Sequence, residues 1–403
     1  LQEYVSINQS RLWLLDVAGG EQRAITPEGD EKVSWRGGSF SPDGGTVYAT
    51  TDVDGEFRSL VALDLESGEW ARLTAEGAGD VESFDLSPDG RRLAYTTNDR
   101  GFSRLHLVDP RTGEALAVPE VPDGVIGGLS WHDNGRDLAF NLSSAHSSGD
   151  VFSIDFDSGE LEQWTYSETG GLDPGGFVEP EIIEWTSFDG RTITGLLYRP
   201  PARFEGPRPV IVDIHGGPEG QSRPGFRGRD NYWLNELGIA LIYPNVRGSA
   251  GYGKTFLQLD NGFLREGSYR DIETLFDWIE GQPWLASDRI MVTGGSYGGH
   301  MTFAVATRYS DRIRCSVAVV GISNLRTFLE NTQGYRRDLR RVEYGDERDP
   351  EMYAFLERIA PLNHADEVGK PILIVHGRND PRVPVSESDQ IVDTVHQNAV
   401  PSW

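Results

Sequence analysis

One phrase recurs at a fixed spacing in the first part of this chain. "SPDGGTVYAT" begins at Ser41, "SPDGRRLAYT" at Ser87 and "HDNGRDLAFN" at His132, which are 46 and 45 residues apart. A period of this size belongs to the four-stranded blade of a β-propeller. Each copy is followed by a second phrase: "LVALDLESGEWARLT", "LHLVDPRTGEALAV" and "VFSIDFDSGELEQWT". Their Asp-Gly and Ser-Gly pairs supply the positive-φ positions of tight hairpin turns, and the flanks alternate apolar and polar residues. A fourth copy of the second phrase, "LWLLDVAGGEQRAIT" from Leu12, has no partner phrase before it. The expectation is a partial β-propeller over residues 1–170, about three and a half blades with its N-terminal part missing, because so few blades leave a sheet edge open. By itself such an array can also be read as an isolated binding platform, but the second half of the chain says more.

From about Phe177 the pattern changes. "RPVIVDIHG", "GIALIYPNVRG", "DRIMVTGG", "CSVAVVG" and "KPILIVHG" are short apolar runs, and between them lie helix-like segments such as "YRDIETLFDWIEG" and "VSESDQIVDTVHQ". Buried strands alternating with amphipathic helices predict a mostly parallel sheet with helices on both faces, over 177–403. At 403 residues the chain is too long for one ordinary core, in keeping with two domains.

Acidic residues number 63 against 37 basic ones, a net charge of −26, which argues against nucleic acid or an anionic membrane surface as partner. No run of eighteen apolar residues offers a membrane-spanning helix. A single cysteine, Cys315, forms no internal disulfide and sits in a strand-like run where it reads as a small buried hydrophobe. Nothing here calls for an oxidising compartment, and the cytoplasm is the expected location, although a chain opening at Leu1 leaves targeting signals open.

The residues that carry chemistry fall at strand ends. Gly294-Gly295-Ser296-Tyr297-Gly298 satisfies G-x-S-x-G between an apolar strand and a helical run, the setting of a nucleophile elbow. "HGGP", His215 to Pro218, follows another strand; its glycines let backbone N–H groups face a site and, with the N–H of Tyr297, form an oxyanion hole. Asp380 in "HGRNDPRVPV" follows a third strand and suits the carboxylate that orients a histidine. His215 precedes the serine, whereas α/β-hydrolases run serine, acid, histidine. "GSAGYGKT", Gly248 to Thr255, matches the phosphate-binding G-x-x-x-x-G-K-[ST], but Asn261 and Gly262 interrupt the helix that should follow, and the best metal-binding aspartate, Asp213, lies upstream. The arginine-rich "YRRDLRRVEYGD", residues 335 to 346, fits either a grip on peptide carbonyls or a solvated helix face, and is left out of the expected site.

Together "RGSAGYG", "TGGSYGG", "HGGP" and "HGRNDPRVPV", downstream of propeller-like repeats, resemble the prolyl oligopeptidase family of serine peptidases, and within it the acylaminoacyl-peptidase and dipeptidyl aminopeptidase branch. The resemblance covers nearly the whole chain. It implies an α/β-hydrolase domain preceded by the propeller, and hydrolysis of short peptides through a covalent acyl-enzyme without cofactor or metal. Carried over, Ser296 is the nucleophile, Asp380 the acid, and the backbones of Gly217 and Tyr297 the oxyanion hole. The family's histidine lies beyond the strand and helix that follow the aspartate, while this chain stops at "AVPSW", so the C-terminal end is expected to be missing and no catalytic histidine is found within the chain. His300 is expected to pack on the helix leaving the elbow, and His396, alone in following Asp380 in the right order, reads as a surface or packing residue in mid-helix. A small-ester carboxylesterase and a non-catalytic peptide-binding relative are the other readings; no Glu-Glu dipeptide occurs to hold a substrate amino terminus, the specificity is open, and a homo-oligomer is compatible with all of them.

Overall fold

Aspartates and glycines set the turns of the N-terminal half. In the computed structural model, which describes residues 1–27, 32–75, 77, 79–398 and 400–403, the glycines of the second phrase, Gly20, Gly68, Gly113 and Gly159, stand at φ of 73 to 77°. Their N–H groups donate to the carbonyls of Asp16, Asp64, Asp109 and Asp155 at 2.7 to 3.0 Å. A side chain at these φ values pays for a close approach to its own backbone, so glycine repeats where the turn repeats.

These turns fold the repeats into three four-stranded antiparallel meanders. The first runs Trp35–Phe40, Thr46–Thr51, Ser59–Asp64 and Trp70–Arg72. The second runs Val81–Leu86, Leu93–Asp99, Phe102–Val108 and Ala115–Leu116, and the third Val125–Trp131, Asp137–Ser143, Ser148–Asp155 and Glu160–Gln163. Ahead of them the Leu12 phrase supplies two strands, Gln9–Leu15 and Gln22–Ala24, to a three-stranded sheet that the sequence reading left one strand short: Gln2–Ser6 pairs antiparallel with Gln9–Leu15. Neighbouring sheets share apolar cores, with Leu60 of the first against Leu93 of the second, and Leu107 of the second against Trp131 of the third. Trp131 also donates from its ring nitrogen to the carbonyl of Asp85 at 3.0 Å, which ties the last two sheets together at a buried aromatic.

The chain divides into two units, Leu1–Phe177 with Arg223–Gly228 and Gly251–Thr255, and Val178–Ser222 with Arg229–Ala250 and Phe256–Trp403. The second unit is built on one seven-stranded sheet in the order Glu181–Thr186, Thr192–Tyr198, Ala240–Asn245, Arg208–Ile214, Leu285–Gly295, Cys315–Val319, Ile372–Val375. The first two pairings are antiparallel and the other four parallel. Pro401 to Trp403 continues the parallel pairing, with Ile372 and Ile374 donating to the carbonyls of Pro401 and Trp403.

The strand Ala240–Asn245 is buried at every position and Arg208–Ile214 at most of them, whereas Leu373 and Val375 of the outer strand are exposed. Glu266–Glu280 turns Ile272, Leu275, Phe276 and Ile279 to the core, each worth roughly 1.5–3 kcal/mol on burial. Tyr297–Arg308 is buried at every position from Tyr297 to Thr307, which makes it a central helix rather than an amphipathic one. Cys315 is only half-buried, less enclosed than its apolar neighbours suggest, and burial pushes its thiol up from the ordinary value. Among the described residues no helix is long and apolar enough to cross a membrane.

Candidate active site

Parallel strands carry their functional groups at their carboxyl ends, and the three candidate segments each follow such an end in this sheet. Leu285–Gly295 ends directly at Ser296, which caps the helix Tyr297–Arg308 with φ 58° and ψ −118°. A serine in that conformation stores about 1–3 kcal/mol of backbone strain, held here because its N–H donates to the carbonyl of Val319 at 3.0 Å. The flanking glycines are required by sterics. A Cβ on Gly298 would lie 1.9 Å from the carbonyl oxygen of Ile214, and one on Gly294 2.5 Å from the same atom. One strand end, at Ile214, approaches the elbow so closely that only hydrogen fits at either position. Ser296 itself is partly exposed, as a nucleophile must be.

The neighbouring strand Arg208–Ile214 runs into the "HGGP" loop. A Cβ on Gly216 would lie 3.4 Å from Cβ of Ser296, which places this loop against the elbow. Gly217 has φ 133°, and a Cβ there would meet the amide nitrogens of Glu219 and Gly220 at 2.4 Å, so the loop closes only with glycine at 217. The N–H of Tyr297 opens its helix and therefore has no partner within it. The Tyr297 side chain points the other way, into a buried polar cluster: its hydroxyl accepts from Arg265 Nη1 at 2.9 Å, lies 3.0 Å from Ser268 Oγ, and Arg265 is itself ion-paired with Asp260. The Arg265 guanidinium lies 4.9 Å from the Tyr297 ring centre.

Asp380 follows the strand Ile372–Val375, two strands along from the elbow. One carboxylate oxygen accepts from the N–H groups of Arg382 at 2.7 Å and Val383 at 3.0 Å. Burial pushes its carboxyl up, and these two N–H groups outweigh burial, so it is held below the ordinary carboxylate value and stays ionised.

The structure accounts for the histidines near these strand ends. His300 is fully buried, with Nε2 2.6 Å from the Tyr269 hydroxyl and Nδ1 2.8 Å from the carbonyl of Ile322; burial pushes it down to about 3, so it is a neutral packing residue. His215 sets Nε2 2.8 Å from Ser249 Oγ and Nδ1 2.9 Å from the carbonyl of Gly216, and burial lowers it too. His376 is likewise engaged at both nitrogens, by Ser388 Oγ at 2.6 Å and the carbonyl of Val383 at 2.9 Å. His396 is a correction: it is not in mid-helix but caps Ser386–Val395, exposed, in a following 3-10 turn. Val395 is the last residue whose burial anchors that helix, so the turn tightens at His396.

Two other motifs resolve differently from their letters. In the look-alike phosphate loop, Lys254 Nζ lies 3.3 Å from the carbonyl of Asp52, while the N–H and hydroxyl of Thr255 donate to the Glu56 carboxylate at 2.9 and 2.7 Å. The lysine and threonine that would hold phosphate and metal are spent on protein oxygens, and Lys254–Leu257 is a single helical turn. The arginine-rich stretch is a helix, Gly334–Tyr344, but not simply a solvated face. Arg340 Nη1 lies 3.2 Å from the Gly217 carbonyl, 3.0 Å from each Glu219 oxygen and 2.6 Å from Glu343 Oε2, and the Tyr344 hydroxyl donates to the same Gly217 carbonyl at 3.2 Å. Sequence reading had no signal for the contacts to Gly217 and Glu219, which join positions more than 120 residues apart.

Glu343 is 1 % exposed, and burial, then the Glu219 carboxylate, push its carboxyl up to about 8 against the pull of Arg340. A carboxyl raised in the fold contributes stability that is complete below its unfolded value, near 4.3, and is lost as pH climbs through about 8. Glu343→Gln is neutral at every pH, so its melting temperature relative to wild type should rise between pH 5 and 8 and then level. Melts at closely spaced pH values read this directly; a difference constant across the window would mean that Glu343 is ionised throughout.

Residues 224–402 match the model of the prolyl oligopeptidase family. A prolyl oligopeptidase family domain thus spans residues 224–402. Dipeptidyl aminopeptidase BIII of Pseudoxanthomonas mexicana is 29% identical over 377 residues, 90% of this chain and 54% of that protein. Dipeptidyl peptidase family member 6 of Caenorhabditis elegans is 35% identical over 199 residues, 48% of this chain and 27% of that one. Among solved structures, a puromycin-hydrolyzing peptidase of Mycobacterium tuberculosis superposes with a TM-score of 0.87 at 21% identity, covering 100% of this chain and 63% of that one. This last likeness is one of fold: a partial β-propeller preceding an α/β-hydrolase domain. The chain spans about half the length of the first of these relatives.

Proposed function

We propose that this prolyl oligopeptidase domain serves a serine peptidase that cleaves short peptides through an acyl-enzyme at Ser296. The observation that carries the reading is the elbow: a strained, partly exposed serine between two glycines that sterics forbid to be anything larger. In this mechanism the Ser296 hydroxyl attacks the substrate carbonyl, the backbone N–H groups of Gly217 and Tyr297 receive the developing oxyanion, and the ionised Asp380 orients the imidazole that takes the serine proton. The first product leaves as an amine, and water releases the acyl group from Ser296 by the same route. His215, His300 and His376 are each engaged at both nitrogens by neighbouring groups and do not serve as that base.

The family match supports a peptide substrate over a simple ester, and the 29% identical dipeptidyl aminopeptidase favours release of dipeptides over removal of acylated residues. The net charge of −26 argues against a nucleic acid partner, and the single cysteine suits the cytoplasm. No metal or cofactor has a part in this chemistry. The test is a panel of chromogenic substrates with the full-length gene product: dipeptidyl, N-acetyl-aminoacyl and internally blocked p-nitroanilides beside p-nitrophenyl esters. A dipeptidyl p-nitroanilide should give the highest kcat/KM, and Asp380→Asn should lower its kcat by about 10⁴-fold with KM little changed. Turnover of esters alone would favour the esterase; binding of peptides without turnover would favour the non-catalytic relative.

A further inference from the structure

The glycine loop beside the elbow is held from outside by the helix Gly334–Tyr344. Its two ties converge on one atom, the carbonyl oxygen of Gly217, reached by Arg340 Nη1 and by the Tyr344 hydroxyl, each at 3.2 Å. Holding that oxygen anchors the peptide plane that follows Gly217; the Gly217 N–H lies in the plane before it, so the ties act on that N–H through the φ and ψ of Gly217, by keeping the loop in the conformation that presents it. Gly217 has no side chain to restrain it and stands at φ 133°, so nothing intrinsic to the residue favours one orientation. The ties must therefore come from elsewhere in the fold.

Arg340 is in turn positioned from both sides. Glu219, two residues along the same loop, contributes both oxygens at 3.0 Å, and the buried Glu343 contributes one at 2.6 Å. One nitrogen thus faces four oxygens with two hydrogens, so the charge of the guanidinium, shared among them, does the holding rather than any single linear bond. Burial works against that charge, and the surrounding Tyr344, Glu343 and Glu219 outweigh it and keep the group protonated. Tyr344 is 1 % exposed and stacks on Tyr297, ring centres 6.2 Å apart, so the brace for the loop and the residue that opens the nucleophile helix share one packed unit.

We infer that Arg340 and Tyr344 are positioning residues that aim the Gly217 N–H at the substrate oxyanion, with Glu219 and Glu343 locking the guanidinium in place. This rests on the reading of Gly217 as part of the oxyanion hole. An aimed donor stabilises the tetrahedral state and not the bound substrate, so the loss on removal falls on kcat. Deleting a donor outright costs about 10²–10³-fold in kcat, and loosening one should cost less, roughly 10- to 100-fold.

The experiment uses the full-length gene product with p-nitrophenyl butyrate, a small ester that makes few contacts outside the oxyanion region. Arg340→Met should lower kcat by roughly 10- to 100-fold with KM within about twofold, Tyr344→Phe by several-fold, and Arg340→Lys should recover part of the loss because it restores a charge but not the planar fork. Tyr344→Phe keeps the buried ring, so it reads the tie even where Arg340→Met does not fold. If folded Arg340→Met and Tyr344→Phe both keep wild-type kcat, or if the loss appears in KM alone, the loop is not aimed by this helix and the inference is wrong while the serine mechanism stands. If wild type shows no hydrolysis that Ser296→Ala abolishes, the reading of the site falls and this inference with it.

Discussion

Ser296→Ala in the full-length gene product is expected to lower kcat by on the order of 10⁴- to 10⁶-fold on any substrate the wild type cleaves, while melting within a degree or two of it. The small stability effect follows from the backbone. Ser296 sits at φ 58° whatever its side chain, and alanine pays the same conformational cost there as serine. The hydrogen bond that anchors the turn is made by the main-chain N–H to Val319, which the substitution leaves untouched. A large loss of rate beside an unchanged melt is the signature of a residue that acts in the reaction and not in the fold. Progress curves over long incubations and a thermal melt measure both. A variant that retained a tenth of the rate would place the nucleophile elsewhere.

Gly298→Ala should do the reverse and disable the site through the fold. The added methyl would sit 1.9 Å from the carbonyl oxygen of Ile214, 2.9 Å from its carbon and 3.0 Å from the carbonyl of His215, all of them backbone atoms. No rotamer relieves such a contact; the strand Arg208–Ile214 and the helix Tyr297–Arg308 must move apart. These are the central parallel strand and the most buried helix of the domain, so the cost should reach or exceed the upper end of the roughly 1–3 kcal/mol seen for overpacked cores. The expected result is a melting transition lowered by several degrees and activity lost along with it, since the "HGGP" loop continues directly from the displaced strand. Gly334→Ala, where a Cβ meets nothing within 4 Å, is the matched control and should change neither.

Both expectations rest on features that the sequence displays, for a physical reason. The elbow is a local object: small residues around a serine, a strand before and a helix after are forced by the sharpness of one turn, and so they are written consecutively. The blades are legible for the same reason, since every Asp-to-Gly turn recurs at the same place in its phrase. That "HGGP", Ser296 and Asp380 each follow the carboxyl end of a parallel strand of one sheet is legible for the same reason, since parallel strands all end on the same side. What depends on contacts far apart in sequence was not legible. The arginines of 335 to 346 differ hardly at all as letters, yet Arg340 reaches the Gly217 carbonyl while Arg341, one residue on, pairs with Glu347. His300 and His396 likewise look alike in print, and only the packing of Tyr269 and Ile322 around the first tells the buried one from the exposed one. "GSAGYGKT" shows the converse: a motif complete in its letters is disarmed by Asp52 and Glu56, some 200 residues away.

The central claim is that Ser296 is an activated nucleophile, and the most direct measurement is intact mass after reaction with a fluorophosphonate probe. Wild-type full-length protein should gain one probe mass, in a reaction that slows as the pH falls and the base is protonated, and Ser296→Ala should gain none. Labelling of the Ser296→Ala variant at the wild-type rate, or no labelling of the folded wild type at all, would contradict the account.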